Sequence, residues 1–336
     1  MKCIFCQEEI DEQNLSREHI IPKFLGGNYV LNNVCKKCNS EMGSDFEGEL
    51  GNNEIIQFLQ AFYLLKRRKS KKAIVPNLNL KINNMSIVCD DEGHMFYQVH
   101  PQITDDGDKK VNAIFDARMS RENSENMLDT IVSRLNKKNN RENLGYEVKS
   151  EVHKLEQGEQ EELKLELDMK LIFQLFCKIA YEFASTALEF DYLNEGDAVL
   201  FRNAIKQRSC SYDMDKYLLE RSFDKIKLQK IVEKVLYTLD TNTRYLLEDK
   251  EFIYPSNGNF KHELSLNYDF GKLSVDINLF GIIYGKISLC DNISNLEFEN
   301  GELIKLVMGI KDNEPYFYVY SDYNELKNKF DYNLCV

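Results

Sequence analysis

Two C-x-x-C pairs within the first 38 residues, a long apolar helical period at 169–190 and strand alternation between Phe252 and Tyr320 predict an α+β fold. The expected architecture is a small zinc-stabilised strand–strand–helix module followed by a larger mixed α+β domain. The module, a helix after it and a basic run are expected to fill residues 1–72. Residues 73–336 are expected to form an α+β domain for regulation, specificity or oligomerisation. A chain of 336 residues is long for a single small core, and 43% hydrophobic content with 20 Phe and 18 Tyr gives material for two.

The elements follow from local pattern. Glu18–His19 and Val30–Leu31 read as two short strands, broken by Pro22 and turned by Gly26-Gly27. Cys35-x-x-Cys38 leads into a helix. Apolar residues from Phe46 to Leu65 recur at helical spacing, which predicts helix from Asp45 to about Lys69 with a break at Gly51-Asn52-Asn53. Residues 78–89 and 95–99 alternate as strands, 101–110 is polar and turn-rich, and 124–135 reads as a helix. Residues 147–155 and 161–167 pattern as a hairpin. Residues 169–190 are apolar over most of the helical circumference, which places that helix in a core. Helices are expected at 196–207, 214–221 and 224–247, then strands at 264–268, 273–279, 282–289 and 316–320.

Composition excludes several classes. A net charge of −12 argues against a general nucleic-acid coat protein. The charge is uneven, with +1 over residues 1–72 and −13 over the remainder. Lys66-Arg67-Arg68-Lys69-Ser70-Lys71-Lys72 places six positive charges in seven residues, a local site for phosphate. Every apolar run is interrupted by charge before the ~20 residues that a membrane span needs, so no membrane partner is expected. The metal motif opens at Cys3, which leaves no room for a signal peptide and implies a cytoplasmic protein. Cys89, Cys177, Cys210, Cys290 and Cys335 lack metal spacing and read as reduced thiols; His94, His100, His153 and His262 read as structural or surface residues.

Cys3 with Cys6 and Cys35 with Cys38 supply four thiolates on two tight turns, 28 residues apart. That spacing fits a tetrahedral Zn²⁺ site, which is coordinatively full and therefore structural. A module of about 45 residues lacks the core to fold alone, and the metal would stabilise it. Glu18 is a hard oxygen ligand suited to Mg²⁺ or Mn²⁺. His19, the one histidine among the first 90 residues, is its neighbour. Neither is needed to hold zinc. Strand alternation turns adjacent residues to opposite faces, so a shared site requires irregular backbone around them.

The pattern C-x-x-C, E-H-I-I-P-x-x-L-G-G, N-N-x-C-x-x-C-N resembles the HNH, or ββα-metal (treble-clef), endonuclease superfamily. In particular it is similar to the zinc-bearing branch that includes phage recombination endonuclease VII and HNH restriction and phage-defence nucleases. The resemblance covers about 45 residues. It implies that His19 is the general base, that Glu18 and Asn39 hold a catalytic divalent metal, and that Asn32 or Asn33, with Asn33 favoured, orients the imidazole. Glu stands where Asp is commoner, and Asn39 where His is commoner. DNA, double-stranded, is the implied substrate. Lys36, Lys37, Lys66, Arg67, Arg68 and Lys69 are the candidate phosphate contacts. A homo-oligomer is compatible, since two strands require two cuts. The rival reading is a zinc-knuckle module that binds nucleic acid or protein without cutting.

Overall fold

The computed structural model describes residues 1–65, 67–68, 74–75, 81–82, 85–89, 94–99, 102–105, 110–116, 121–139, 145–151, 165–194, 196–207, 217–248, 250–291, 293 and 298–330. The chain divides into two compact units. Met1–Pro76, Glu166–Val235 and Pro255–Val336 make the first, and Asn77–Leu165 with Leu236–Tyr254 make the second. The N-terminal module thus shares its unit with two later segments.

In the first unit, β1 (Glu18–His19) pairs antiparallel with β2 (Val30–Leu31), with Glu18 opposite Leu31 and His19 opposite Val30. Helix α1 (Lys36–Met42) runs into a π turn at Gly43–Glu47, then α2 (Gly48–Gly51) and α3 (Glu54–Phe62). Asn53 caps α3 through Oδ1, as the predicted break requires. The helix stops short of Lys69. Leu64 takes φ +54°, the left-handed conformation that terminates helices, and β3 (Arg67–Arg68) then pairs with β4 (Ile74–Val75).

The second unit holds the meander β5 (Lys81–Ile82), β6 (Met85–Cys89) and β7 (Met95–Val99). It also holds β8 (Gln102–Asp105), β9 (Lys110–Asp116), α4 (Arg121–Asn139) and β10 (Gly145–Glu151). One expectation fails here. The turn-rich 101–110 stretch contains β8. β10, the first arm of the hairpin expected with 161–167, pairs in parallel with β9 across the α4 crossover. Of that second arm, residues 161–164 lie outside the described residues and 165–167 are irregular.

The first unit continues with α5 (Met169–Leu188), α6 (Phe190–Leu193), α7 (Gly196–Gln207), β11 (Leu218–Phe223) and the part of α8 (Lys225–Glu248) up to Val235. β11 replaces the helix expected at 214–221. It joins the edge of an antiparallel sheet in the order β11-β14-β13-β12-β15-β16. The partners are β12 (Phe260–Asp269), β13 (Lys272–Leu279), β14 (Ile283–Cys290), β15 (Gly301–Lys311) and β16 (Glu314–Tyr320), with α9 (Asn324–Asn328) beyond.

Helix α5 is the core of this unit. Its length and apolar composition would suffice for a membrane span, yet 94% of that window is buried inside the fold, where it packs on β12, β13 and β14. Phe176 lies against Gly285 so closely that a Cβ there would stand 2.3 Å from the ring. Cys177 and Cys290 are buried and in no disulfide, as expected. His262 is buried too. Phe280 N–H donates to its Nδ1 (3.2 Å), which leaves Nε2–H to donate to the Leu25 carbonyl (2.9 Å) and ties the sheet to the N-terminal module.

Two outcomes follow. Gly285→Ala should destabilise the protein by about 1–3 kcal/mol through overpacking, and Phe176→Leu should recover part of the loss, as read by denaturant melts of the single and double variants. Burial pushes His262 down to about 4, whereas the unfolded chain takes up that proton near 6.5. Stability should therefore fall as pH drops from about 6.5 towards 4, by up to about 3 kcal/mol from this group, and His262→Gln should lack that part of the slope.

Candidate metal centre and catalytic site

The N-terminal sulfurs are positioned by two knuckles. Gln7 takes φ +60° at the first turn, where Cys3 N–H donates to the Glu8 carbonyl at 2.9 Å. The second begins at Cys35, the N-cap of α1, whose Sγ accepts from Cys38 N–H at 3.4 Å. Cys35 N–H in turn donates to Cys3 Sγ at 3.4 Å, linking the two turns. All four Sγ atoms lie within 4.8 Å of one another, and Cys6 and Cys35 are 3.8 Å apart. Tetrahedral zinc with bonds of about 2.3 Å separates its sulfurs by roughly 3.8 Å, so donor type, number and spacing all fit that ion. The hydrogen bond with Cys38 pulls Cys3 down to about 4, burial pushes Cys6 up to about 11, and the Cys3 partner raises Cys38. Clustered sulfurs resist shared ionisation unless a cation joins them.

Beside this clamp, β1 presents Glu18 and His19. The turn between the strands is forced by glycine: a Cβ on Gly27 would fall 1.7 Å from the Ile21 carbonyl oxygen. Asn28 then anchors the hairpin to the sheet, its Nδ2 donating to the carbonyls of Gly309 (3.3 Å) and Tyr316 (3.0 Å).

Glu18 is 4% exposed and lies beside an unpredicted residue. Lys178 of α5, fully buried, donates from Nζ to Glu18 Oε1 at 2.7 Å, to the His19 carbonyl at 3.0 Å and to Glu182 Oε2 at 3.1 Å. Glu47, on the π turn, pairs with the same ammonium at 3.1 Å. Burial opposes the Lys178 charge, but Glu18, Glu182 and Glu47 outweigh it and hold the pKa well above the ordinary lysine value. Burial holds the Glu182 carboxyl well above its usual range despite that ammonium. Three acidic side chains thus surround one buried ammonium.

His19 is half-buried. Burial first, then Lys23, Lys178 and Arg17, push its pKa down to about 4, against the opposing pull of Glu47. The imidazole is neutral near pH 7 and able to accept a proton. Asn33 follows β2. Its Oδ1 is buried with no hydrogen-bond partner among the described residues, while Asn32 is exposed. Asn39 is half-buried on α1, with its N–H bonded to the Cys35 carbonyl at 3.1 Å.

The phosphate candidates are less gathered. Lys36 Nζ donates to the Gln13 carbonyl at 2.6 Å, and Lys37 is exposed. Arg67 and Arg68 form β3, while Lys66 and Lys69 lie outside the described residues. Sequence reasoning missed Glu47, Lys178 and Glu182. The available signal was a Lys–Glu pair at i,i+4 inside an otherwise apolar buried helix.

Residues 3–55 match the sequence model of the HNH endonuclease family. The four-cysteine cluster lies inside that span, so the matched N-terminal part resembles an HNH module and is consistent with zinc binding. Residues 56–336 lie outside the match. No curated protein and no solved structure matches the chain.

One zinc per chain is expected by elemental analysis of the purified protein. Cys38→Ser should lose it, and chelation should expose residues 1–44 to protease before the sheet opens; a wild type free of zinc would contradict the clamp.

Proposed function

We propose that the chain is a metal-dependent endonuclease that hydrolyses DNA phosphodiester bonds at its N-terminal module. The observation that carries this reading is the HNH match over 3–55, which spans Glu18, His19, Asn33 and Asn39 together with the sulfur clamp. Lys178 holds Glu18 Oε1, which leaves Oε2 as the atom to grip a hard cation together with Asn39. Mg²⁺ or Mn²⁺, when bound, supplies Lewis-acid polarisation of the phosphate and stabilises the departing 3′ oxygen. The His19 imidazole takes the proton of the attacking water, and the unpartnered Asn33 amide oxygen is suited to orient that ring. The bond from phosphorus to water's oxygen forms as the bond to the 3′ oxygen breaks. Lys37 and the 66–72 run supply cationic contacts to the backbone.

The remainder of the chain selects substrate, senses a signal or oligomerises, and restriction or phage defence is the role that such a nuclease serves. A second reading, a zinc module that binds without cutting, draws on one observation. A Glu18 carboxylate paired to a buried ammonium is also what a purely structural acid would look like.

Plasmid nicking with Mn²⁺ separates the two. Wild type should convert supercoiled DNA to open circles, and His19→Ala should lower the rate at least about 100-fold while keeping its zinc and its melting temperature. Equal cutting by both proteins would remove His19 from its role. A well-folded wild type that never nicks would favour the binding module.

A further inference from the structure

Helix α5 lies outside the 3–55 match, yet it supplies a side chain to the strand that carries the proposed acid and base. Lys178, Tyr181 and Glu182 share one helical face. The Tyr181 hydroxyl donates to the Ile4 carbonyl, and its ring lies 5.3 Å from that of Phe5, so this face is seated on the first knuckle. Lys178 then uses all three ammonium protons at once, on Glu18 Oε1, the His19 carbonyl and Glu182 Oε2, with Glu47 Oε1 at 3.1 Å as a further anion.

We propose that Lys178 is a positioning residue of the nuclease site: its ammonium, braced by Glu182 and Glu47, fixes the Glu18 carboxylate and the His19 peptide in the arrangement that catalysis uses. This rests on the nuclease reading above. Packing does not account for the group, since apolar side chains fill such a place at least as well and buried ion pairs are weak contributors to stability. Placement does account for it. One cation touches two consecutive residues of a two-residue strand, the shortest element that has to hold a base and a ligand in register. A displacement near 1 Å at such a site costs on the order of 100-fold in rate. The nuclease module would then act only when α5 is docked, which links the cutting centre to a segment that begins more than 100 residues later.

The test uses the full, zinc-loaded chain with Mn²⁺ as the probe. Three quantities are read: plasmid nicking, Mn²⁺ affinity from the electron paramagnetic resonance of the free ion, and zinc content with the thermal melt. Wild type should nick, and His19→Ala should bind Mn²⁺ without nicking. Lys178→Met/Glu182→Leu, which removes the ammonium with its intrahelical partner, should keep zinc yet lose about 100-fold in kcat and about tenfold in Mn²⁺ affinity. Wild-type kcat and Mn²⁺ affinity in that variant, at any melting temperature, would overturn the proposal and leave Lys178 a structural part. If the double variant does not fold, Lys178→Arg replaces it. A planar guanidinium cannot repeat the three-way tetrahedral contact, so about a tenfold loss of kcat is expected and an unchanged rate counts against the idea. A wild type that fails to nick would sink the nuclease reading, and the Mn²⁺ titrations would still judge the positioning role.

Discussion

Four sulfur atoms held within 4.8 Å of one another are the constraint on which the N-terminal module depends. Close thiolates repel, and besides packing the two turns are tied by Ile4 N–H donating to the Asn33 carbonyl at 3.0 Å. Joined by a cation, they fix the start of α1 and the loop of Cys3–Cys6 as one body. The β1–β2 hairpin is then suspended between that body and the large sheet, to which Asn28 and His262 bind it. Each attachment has a different chemistry: sulfur and metal at one end, backbone carbonyls at the other. The hairpin itself contributes only two residues per strand, too few to hold a geometry unaided.

The acid-rich pocket under β1 depends on a second, weaker device. A buried ammonium collects Glu18, Glu47 and Glu182 from three separate elements. Its burial is tolerable only because every proton finds an oxygen. The same α5 that buries its apolar circumference against β12–β14 thus carries its few charges towards the candidate site.

Much of this was legible in the sequence, and the reasons differ by element. The sulfur site was legible because four ligands on two short turns require a fixed spacing that chance rarely gives. Helix α5 and strands β12 to β14 were legible because deep burial imposes an unbroken period of 3.6 or 2. β11 was misread as helix since six residues on a sheet edge, mostly exposed, carry little alternation. The parallel β9–β10 pair was not foreseen, because pairing across an intervening helix leaves no local mark. Lys and Arg favour helix intrinsically, which carried the expected helix on to Lys69, whereas Leu64 in the left-handed conformation ends it earlier. Glu18 and His19 are singled out by their motif; Lys178 and Glu47, which pack against Glu18 or its partner, are not, since nothing in their local pattern ties them to residues far away in the chain.

The central claim is that one module carries two metal sites of different kinds, a sulfur site that holds and an oxygen site that cuts. Anomalous diffraction from crystals grown with Mn²⁺, recorded at the zinc and manganese edges, tests it most directly. The account predicts a zinc peak among Cys3, Cys6, Cys35 and Cys38 and a separate manganese peak in contact with Glu18 and Asn39, beside the His19 ring. A manganese peak elsewhere, or Glu18 still closed on Lys178 with no ion between it and Asn39, would contradict it.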